Sequence, residues 1–157
     1  MKKRILFICL GNICRSPSAE AIMKYYVKER GMEAQFYIDS AGISGYHSGD
    51  PADERMQRHA IRRGYELTSL SRKFYPDADF ENFDMIIGMD DQNVRDLRRM
   101  ASTEEEREKI YKMTDFCQRF SYRDSVPDPY YGGDAGFELV LDLLEDAVEG
   151  LLERLED

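Results

Sequence analysis

Tryptophan is absent from the chain, histidine occurs twice and cysteine three times. Three thiols are an odd number, which argues against a disulfide framework and for a reducing compartment. The same cysteines and histidines stand at unrelated spacings and compose no recognisable zinc site. Long apolar runs are also missing. The stretch after Met1-Lys2-Lys3-Arg4 is soon broken by a polar loop, too early for a signal-peptide core or a membrane span. A cytoplasmic protein with no membrane partner is expected. Positive charge is in deficit, with 22 Lys and Arg against 31 Asp and Glu and a net charge of −9. That balance argues against a nucleic-acid partner, which needs a basic face. It does not exclude a small anion, because much of the acid lies in residues 104–108 and 138–157, and a local field dominates within roughly 8 to 10 Å. Repeats, low-complexity tracts and linkers are lacking, so residues 1–157 read as one domain with enough chain for a proper core.

What is present is concentrated near the N-terminus. Ile5, Leu6, Phe7 and Ile8 read as a short buried strand that stops at Cys9. Gly11 and Asn12 mark a loop, and Ser16-Pro17 opens a helix, with Ser16 suited to the N-cap, Pro17 to the first helical position and Glu20 to the first turn. In open α/β sheets such a strand-to-helix corner is where ligands bind. Main-chain N–H groups of the loop and the helix N-terminus favour a dianion. Gly11 and Asn12 tolerate the left-handed backbone that a converging cradle needs. Arg15 brings a planar fork that matches two phosphate oxygens. A cation at a helix start opposes the dipole, and a bound anion removes that conflict. The same field favours a thiolate at Cys9, facing the phosphorus: a nucleophile for phosphoryl transfer. A buried cysteine at a strand end is often inert packing, but the loop, Arg15 and the helix start around Cys9 favour catalysis.

Further along, Ala19, Ile22, Met23 and Tyr26 recur at helical spacing up to Gly31, and residues 36–40 read as a second strand. Residues 43–49 form a loop. Asp50-Pro51-Ala52-Asp53 starts a helix that carries Met56, His59 and Ala60 and ends near Gly64. Residues 65–80 look irregular, broken by Pro76. A third strand spans 83–88, a helix follows Met89-Asp90, Ser102 with Glu105 has capping-box spacing, and residues 110–113 make a short fourth strand. A long loop over 119–136 precedes a terminal helix striped by Phe137, Leu141, Leu144, Val148, Leu151 and Leu155. Alternating strands and helices predict an α/β, doubly wound, mainly parallel sheet.

Cys9-Leu10-Gly11-Asn12-Ile13-Cys14-Arg15-Ser16-Pro17, together with Asp39-Ser40-Ala41-Gly42, Met89-Asp90, Asn93 and Asp128-Pro129-Tyr130-Tyr131, resembles the low-molecular-weight protein tyrosine phosphatases. The resemblance implies a flavodoxin-like four-stranded sheet of order 2-1-3-4. It also implies hydrolysis of phosphotyrosine in proteins through a cysteinyl-phosphate, with inorganic phosphate as product. The loop from Leu10 to Ser16 would bind phosphate, and no cofactor or metal would be needed, since N–H groups and Arg15 handle the charge. Asp128 reads on composition as turn chemistry; the resemblance makes it the general acid and base. Ser16 gains a second task, donating to the Cys9 sulfur. Asn12 would brace the loop with Ser40 and His59 in the supporting shell, although His59 reads equally as a satisfied core histidine. Asp90 would hold Arg15, or only cap a helix. Tyr46, Tyr130 and Tyr131 would wall a slot for a phenyl ring, and phosphorylation of Tyr130 or Tyr131 in relatives suggests regulation.

Four other readings compete. A phosphotyrosine-binding module without catalysis would have no use for Cys9 and Asp128 together. Protein arginine phosphatases carry Thr at the position of Ile13, so an apolar Ile13 favours tyrosine. Arsenate reductases of the related type need two closely spaced downstream cysteines, and only Cys117 exists. A P-loop nucleotide binder needs Gly-Lys-Ser/Thr where this chain has Cys-Arg-Ser. Cys14, beside Cys9, could resolve an oxidised Cys9 as a disulfide. A monomer is expected.

Overall fold

Strand β1 spans Lys3–Cys9 in the computed structural model of the protein, which describes residues 2–130 and 133–156. Its side chains alternate between two cores. Ile5, Phe7 and Cys9 join one apolar cluster, and Leu6 and Ile8 join another with Phe74, Phe80 and Leu97. Burial on both faces explains why the run lacks the polar alternation of a surface strand. Strands β2 (Phe36–Gly42), β3 (Met85–Gly88) and β4 (Ile110–Lys112) complete a four-stranded parallel sheet of order β2-β1-β3-β4. The order is the one the family resemblance implies.

Helices cover both faces. Helix α1 (Arg15–Glu29) packs Ala19, Ile22, Met23 and Val27 against the first cluster, which it shares with α2 (Glu54–Ile61) and α6 (Asp134–Glu156). Helices α3 (Pro76–Asn82) and α4 (Asp91–Met100) close the opposite face through Phe80 and Leu97. A four-residue helix, α5 (Glu104–Arg107), leads into β4. The buried face of α6 is broader than the expected stripe and adds Val140, Leu143, Ala147 and Leu152. Gly150 lets α6 approach the 3₁₀ turn Met113–Phe116 so closely that an added Cβ would overlap the Phe116 carbonyl oxygen. Among the described residues no helix is long and apolar enough to cross a membrane.

Several boundaries depart from expectation for identifiable reasons. Helix α1 begins at Arg15 with no side-chain cap. Ser16 is already inside the first turn, because its hydroxyl is turned toward Cys9. Helix α2 starts at Glu54 rather than near Asp50: the Asp50 N–H and C=O are drawn to His47 and Ser71, and Asp53 caps the helix instead. Pro76, read as a breaker, opens α3 at its first position, where the missing N–H costs nothing. Asp79 accepts the Tyr75 N–H at 2.8 Å and secures that turn. Thr103, not Ser102, caps α5. Met113 leaves the fourth strand for the 3₁₀ turn.

Candidate active site

Cys9 ends β1 at the carboxyl edge of the sheet, and residues 10–14 loop from it into α1. Five of the six carbonyls of residues 9–14 accept hydrogen bonds from surrounding groups. The Cys9 oxygen accepts from Ile43 N–H, Leu10 from Ser44 N–H, Gly11 from the Ser71 hydroxyl, Ile13 from Asp53 N–H and Cys14 from Ser18. A trans peptide plane points its N–H opposite to its C=O. Carbonyls held in this way turn the N–H groups of the following residues to the opposite side of the chain. The Asn12 N–H already reaches the Cys9 Sγ at 3.3 Å. Asn12 sits at φ 58°, the one non-glycine residue at positive φ among those described, as its residue type allows.

The sulfur is buried, and a second contact lies on it: the Ser16 Oγ at 3.0 Å. Arg15 is buried under the loop, 3% exposed. Its Nη1 donates to Asp90 Oδ2 at 2.6 Å and to the Val126 carbonyl at 3.0 Å, and its Nη2 lies 3.7 Å from Asp128 Oδ2. Burial works against this cation, but the Cys9 sulfur, Asp90 and Asp128 outweigh it and hold the guanidinium above the ordinary arginine range. Asp90 does two things at once, since its Oδ1 caps α4 by accepting the Asn93 N–H at 2.8 Å. Asp128 is partly exposed and shaped by its own turn, in which Oδ1 accepts the Tyr130 N–H at 3.0 Å. Burial, with Asp53 adding to it, pushes the Cys14 thiol far above the usual range, so it stays protonated at neutral pH.

A cavity of about 510 Å³ opens over this constellation. Cys9 and Arg15 lie among its lining residues, and Ile13, Tyr46, Asp128 and Tyr130 also line it. Tyr46 is the most exposed of them, its ring edge-on to His47 at 4.9 Å. Tyr130 is held by Arg55, whose Nη2 donates to the Tyr130 carbonyl at 2.9 Å and whose guanidinium lies 5.5 Å from the ring centroid. Tyr131 lies outside the described residues.

Asn12 is braced as the resemblance implied, with Nδ2 donating to Ser16 Oγ at 2.8 Å and to Ser40 Oγ at 3.0 Å. His59 is placed elsewhere. Its ring contacts Glu138 through Nδ1 and Asp134 through Nε2, and stacks on Phe137, so it ties α2 to α6 rather than supporting the loop. Its membership of the supporting shell is corrected accordingly: an imidazole on the α6 side of α2 turns to the carboxylates there.

Other residues do that work and were missed. Arg72 gives its N–H to Asn12 Oδ1 at 3.0 Å, and the buried Glu20 receives the Ser40 hydroxyl at 2.6 Å. Glu20 carried one usable signal, its place one turn after Ser16 on the same side of a helix. His47 was also missed. It lines the cavity, and its Cδ2 would lie 3.1 Å from a Cβ added at Gly11, a tight contact that the ring would have to ease.

The family model described as low molecular weight phosphotyrosine protein phosphatase matches residues 4–157. A crystal structure of a protein tyrosine phosphatase from Entamoeba histolytica superimposes with a TM-score of 0.95 at 46% identity, covering 99% of this chain and 97% of that one. A low molecular weight protein-tyrosine-phosphatase of Streptomyces coelicolor is 39% identical over 97% of this chain and 93% of its own. A crystal structure described as Drosophila arginine phosphatase matches with a TM-score of 0.89 at 31% identity, covering 100% of this chain and 99% of the other. With the family model spanning nearly the whole chain, the chain belongs to the low molecular weight phosphotyrosine protein phosphatase family, whose members are hydrolases.

Proposed function

We propose that this protein is a phosphotyrosine protein phosphatase that works through a cysteinyl-phosphate, within a single domain over residues 1–157. The observation that carries the reading is the sulfur of Cys9 with the Asn12 N–H and the Ser16 hydroxyl on it, beside a buried arginine that also lies near Asp128. In the first step the Cys9 thiolate attacks phosphorus in line and the bond from phosphorus to the phenolic oxygen breaks. Asp128 delivers the proton to that oxygen. Arg15 and the loop N–H groups take the charge spread over the equatorial oxygens. In the second step Asp128 removes a proton from water, the water oxygen attacks phosphorus, and the sulfur leaves with help from Ser16. Inorganic phosphate is the product.

Substrate choice follows from depth. Ile13, Tyr46 and Tyr130 border the cavity above Cys9, and a phenyl ring spans that height where a serine side chain falls short. The natural substrates are tyrosine-phosphorylated proteins or peptides, met by a cytoplasmic monomer. When a peroxide oxidises Cys9 to the sulfenic acid, the Cys14 thiol can condense with it, forming a disulfide and releasing water. Phosphorylation of Tyr130 or Tyr131 is a second regulatory proposal.

A second reading, arginine phosphatase, is favoured by the likeness to the Drosophila enzyme; the apolar Ile13 at the mouth speaks for tyrosine. Arsenate reduction fits less well, because Cys117 is buried against α6, where its thiol contacts the Leu143 carbonyl. The test is turnover of a phosphotyrosine peptide, a phosphoarginine peptide and arsenate, with trapping of the phosphoenzyme by rapid acid quench. Phosphotyrosine is expected to be hydrolysed, with phosphate found on Cys9. Full activity in Cys9→Ser would end the proposal.

A further inference from the structure

Glu20 stands outside the catalytic scheme, yet it is a carboxylate only 4% exposed, within two hydrogen bonds of the loop. Lys24 Nζ lies 2.6 Å from its Oε2, and the hydroxyls of Ser40 and Ser69 reach its Oε1 at 2.6 and 3.1 Å. An ionised carboxylate only accepts. Ser40 must therefore spend its proton on Glu20 and offer a lone pair to Asn12 Nδ2 at 3.0 Å. From the other side the Arg72 N–H, which only donates, holds Asn12 Oδ1. Both ends thus orient the Asn12 amide the same way, with its second N–H aimed at Ser16 Oγ. Ser16 accepts that bond and is left with its own proton to give. The near acceptor is the Cys9 sulfur at 3.0 Å; the Ala41 carbonyl is more distant at 3.5 Å.

We propose that Glu20 is a positioning residue which sets the direction of the hydrogen-bond relay Ser40–Asn12–Ser16, so that Ser16 donates to the sulfur of Cys9 rather than accepting from it. The proposal rests on the reading of Cys9 as nucleophile. Charge at one end polarises each bond along the chain, and a directional relay is worth more than its separate links. Glu20→Gln can offer an N–H to Ser40, which frees Ser40 to point its proton elsewhere and loosens the order downstream.

The test uses the full chain and reads Cys9 without substrate. Iodoacetamide alkylation of Cys9, followed across pH by mass spectrometry, should shift its midpoint upward by about one pH unit in Glu20→Gln. Turnover should fall about tenfold while vanadate affinity changes little. Ser40→Ala should show the same shift, and adding Glu20→Gln to Ser40→Ala should add almost nothing, as expected for two residues on one relay. Thermal melting of each variant separates this effect from simple unfolding. An unshifted alkylation midpoint in folded Glu20→Gln, or full additivity with Ser40→Ala, overturns the relay. An inactive wild-type protein, or activity retained by Cys9→Ser, would instead overturn the nucleophile itself.

Discussion

Asp128 is the proposed general acid, and its side chain is partly exposed at the site. Asp128→Ala should lower kcat on phenyl phosphates about 10²- to 10⁴-fold, with the loss shrinking as the phenol becomes more acidic. Vanadate binding should survive, because Arg15 and the loop amides are untouched. A leaving-group series measured by stopped flow checks both statements. The two neighbouring thiols should also differ in reactivity. Burial and Asp53 keep Cys14 protonated, so brief alkylation near neutral pH should label Cys9 and spare Cys14, as peptide mass mapping will report. Residues of the loop were legible in the sequence because strand, loop and helix start are adjacent in the chain. Arg72, Ser71 and Val126 were not, because their contacts with the loop and Arg15 are made by folding, and Glu20 reaches the loop only through Ser40. His59 reads in the sequence equally as a supporting or a core histidine, and its carboxylate neighbours on α6 favour the second.

Among the elements, α6 has the less obvious task. Asp146 in its middle is 1% exposed and accepts the backbone N–H groups of Gln118, Arg119 and Phe120. Those amides stand at the root of the loop that ends at Asp128. Burial alone would raise the carboxyl's pKa; the three N–H donors more than offset it and hold it below its ordinary value of 3.8. A lowered folded-state pKa contributes stability above the unfolded value, and that contribution is lost as pH falls through the folded one. Asp146→Asn should therefore cost about 2 kcal/mol near neutral pH and much less in acid below both values. Urea unfolding of both proteins at pH 7 and in strong acid gives the comparison. The helices were read correctly where an apolar stripe marked them. Helix α3 was lost because Pro76 signals both the end of one segment and the first turn of the next.

At the scale of the whole molecule the fold is a two-sided sheet whose site sits on the rim where β1 meets α1. Its net charge of −9 leaves phosphate binding to a few local groups. A ligand that binds only the folded state raises stability by about 2.7 kcal/mol at a hundred times its Kd. For a chain of this size each kcal/mol moves Tm by about 2–4 °C, so saturating vanadate should raise Tm by roughly 5–10 °C. Arg15→Ala should abolish the rise; differential scanning calorimetry decides. The hydrogen-bonded carbonyls of residues 9, 10, 11, 13 and 14 have one more consequence. Under the proposed function the grip on phosphate is made by peptide groups pinned from behind, so it does not depend on what side chain stands at position 10 or 13. Those positions can drift toward new leaving groups while the chemistry beneath them stays the same, so neighbouring members of such a lineage can part ways in substrate without rebuilding their catalyst.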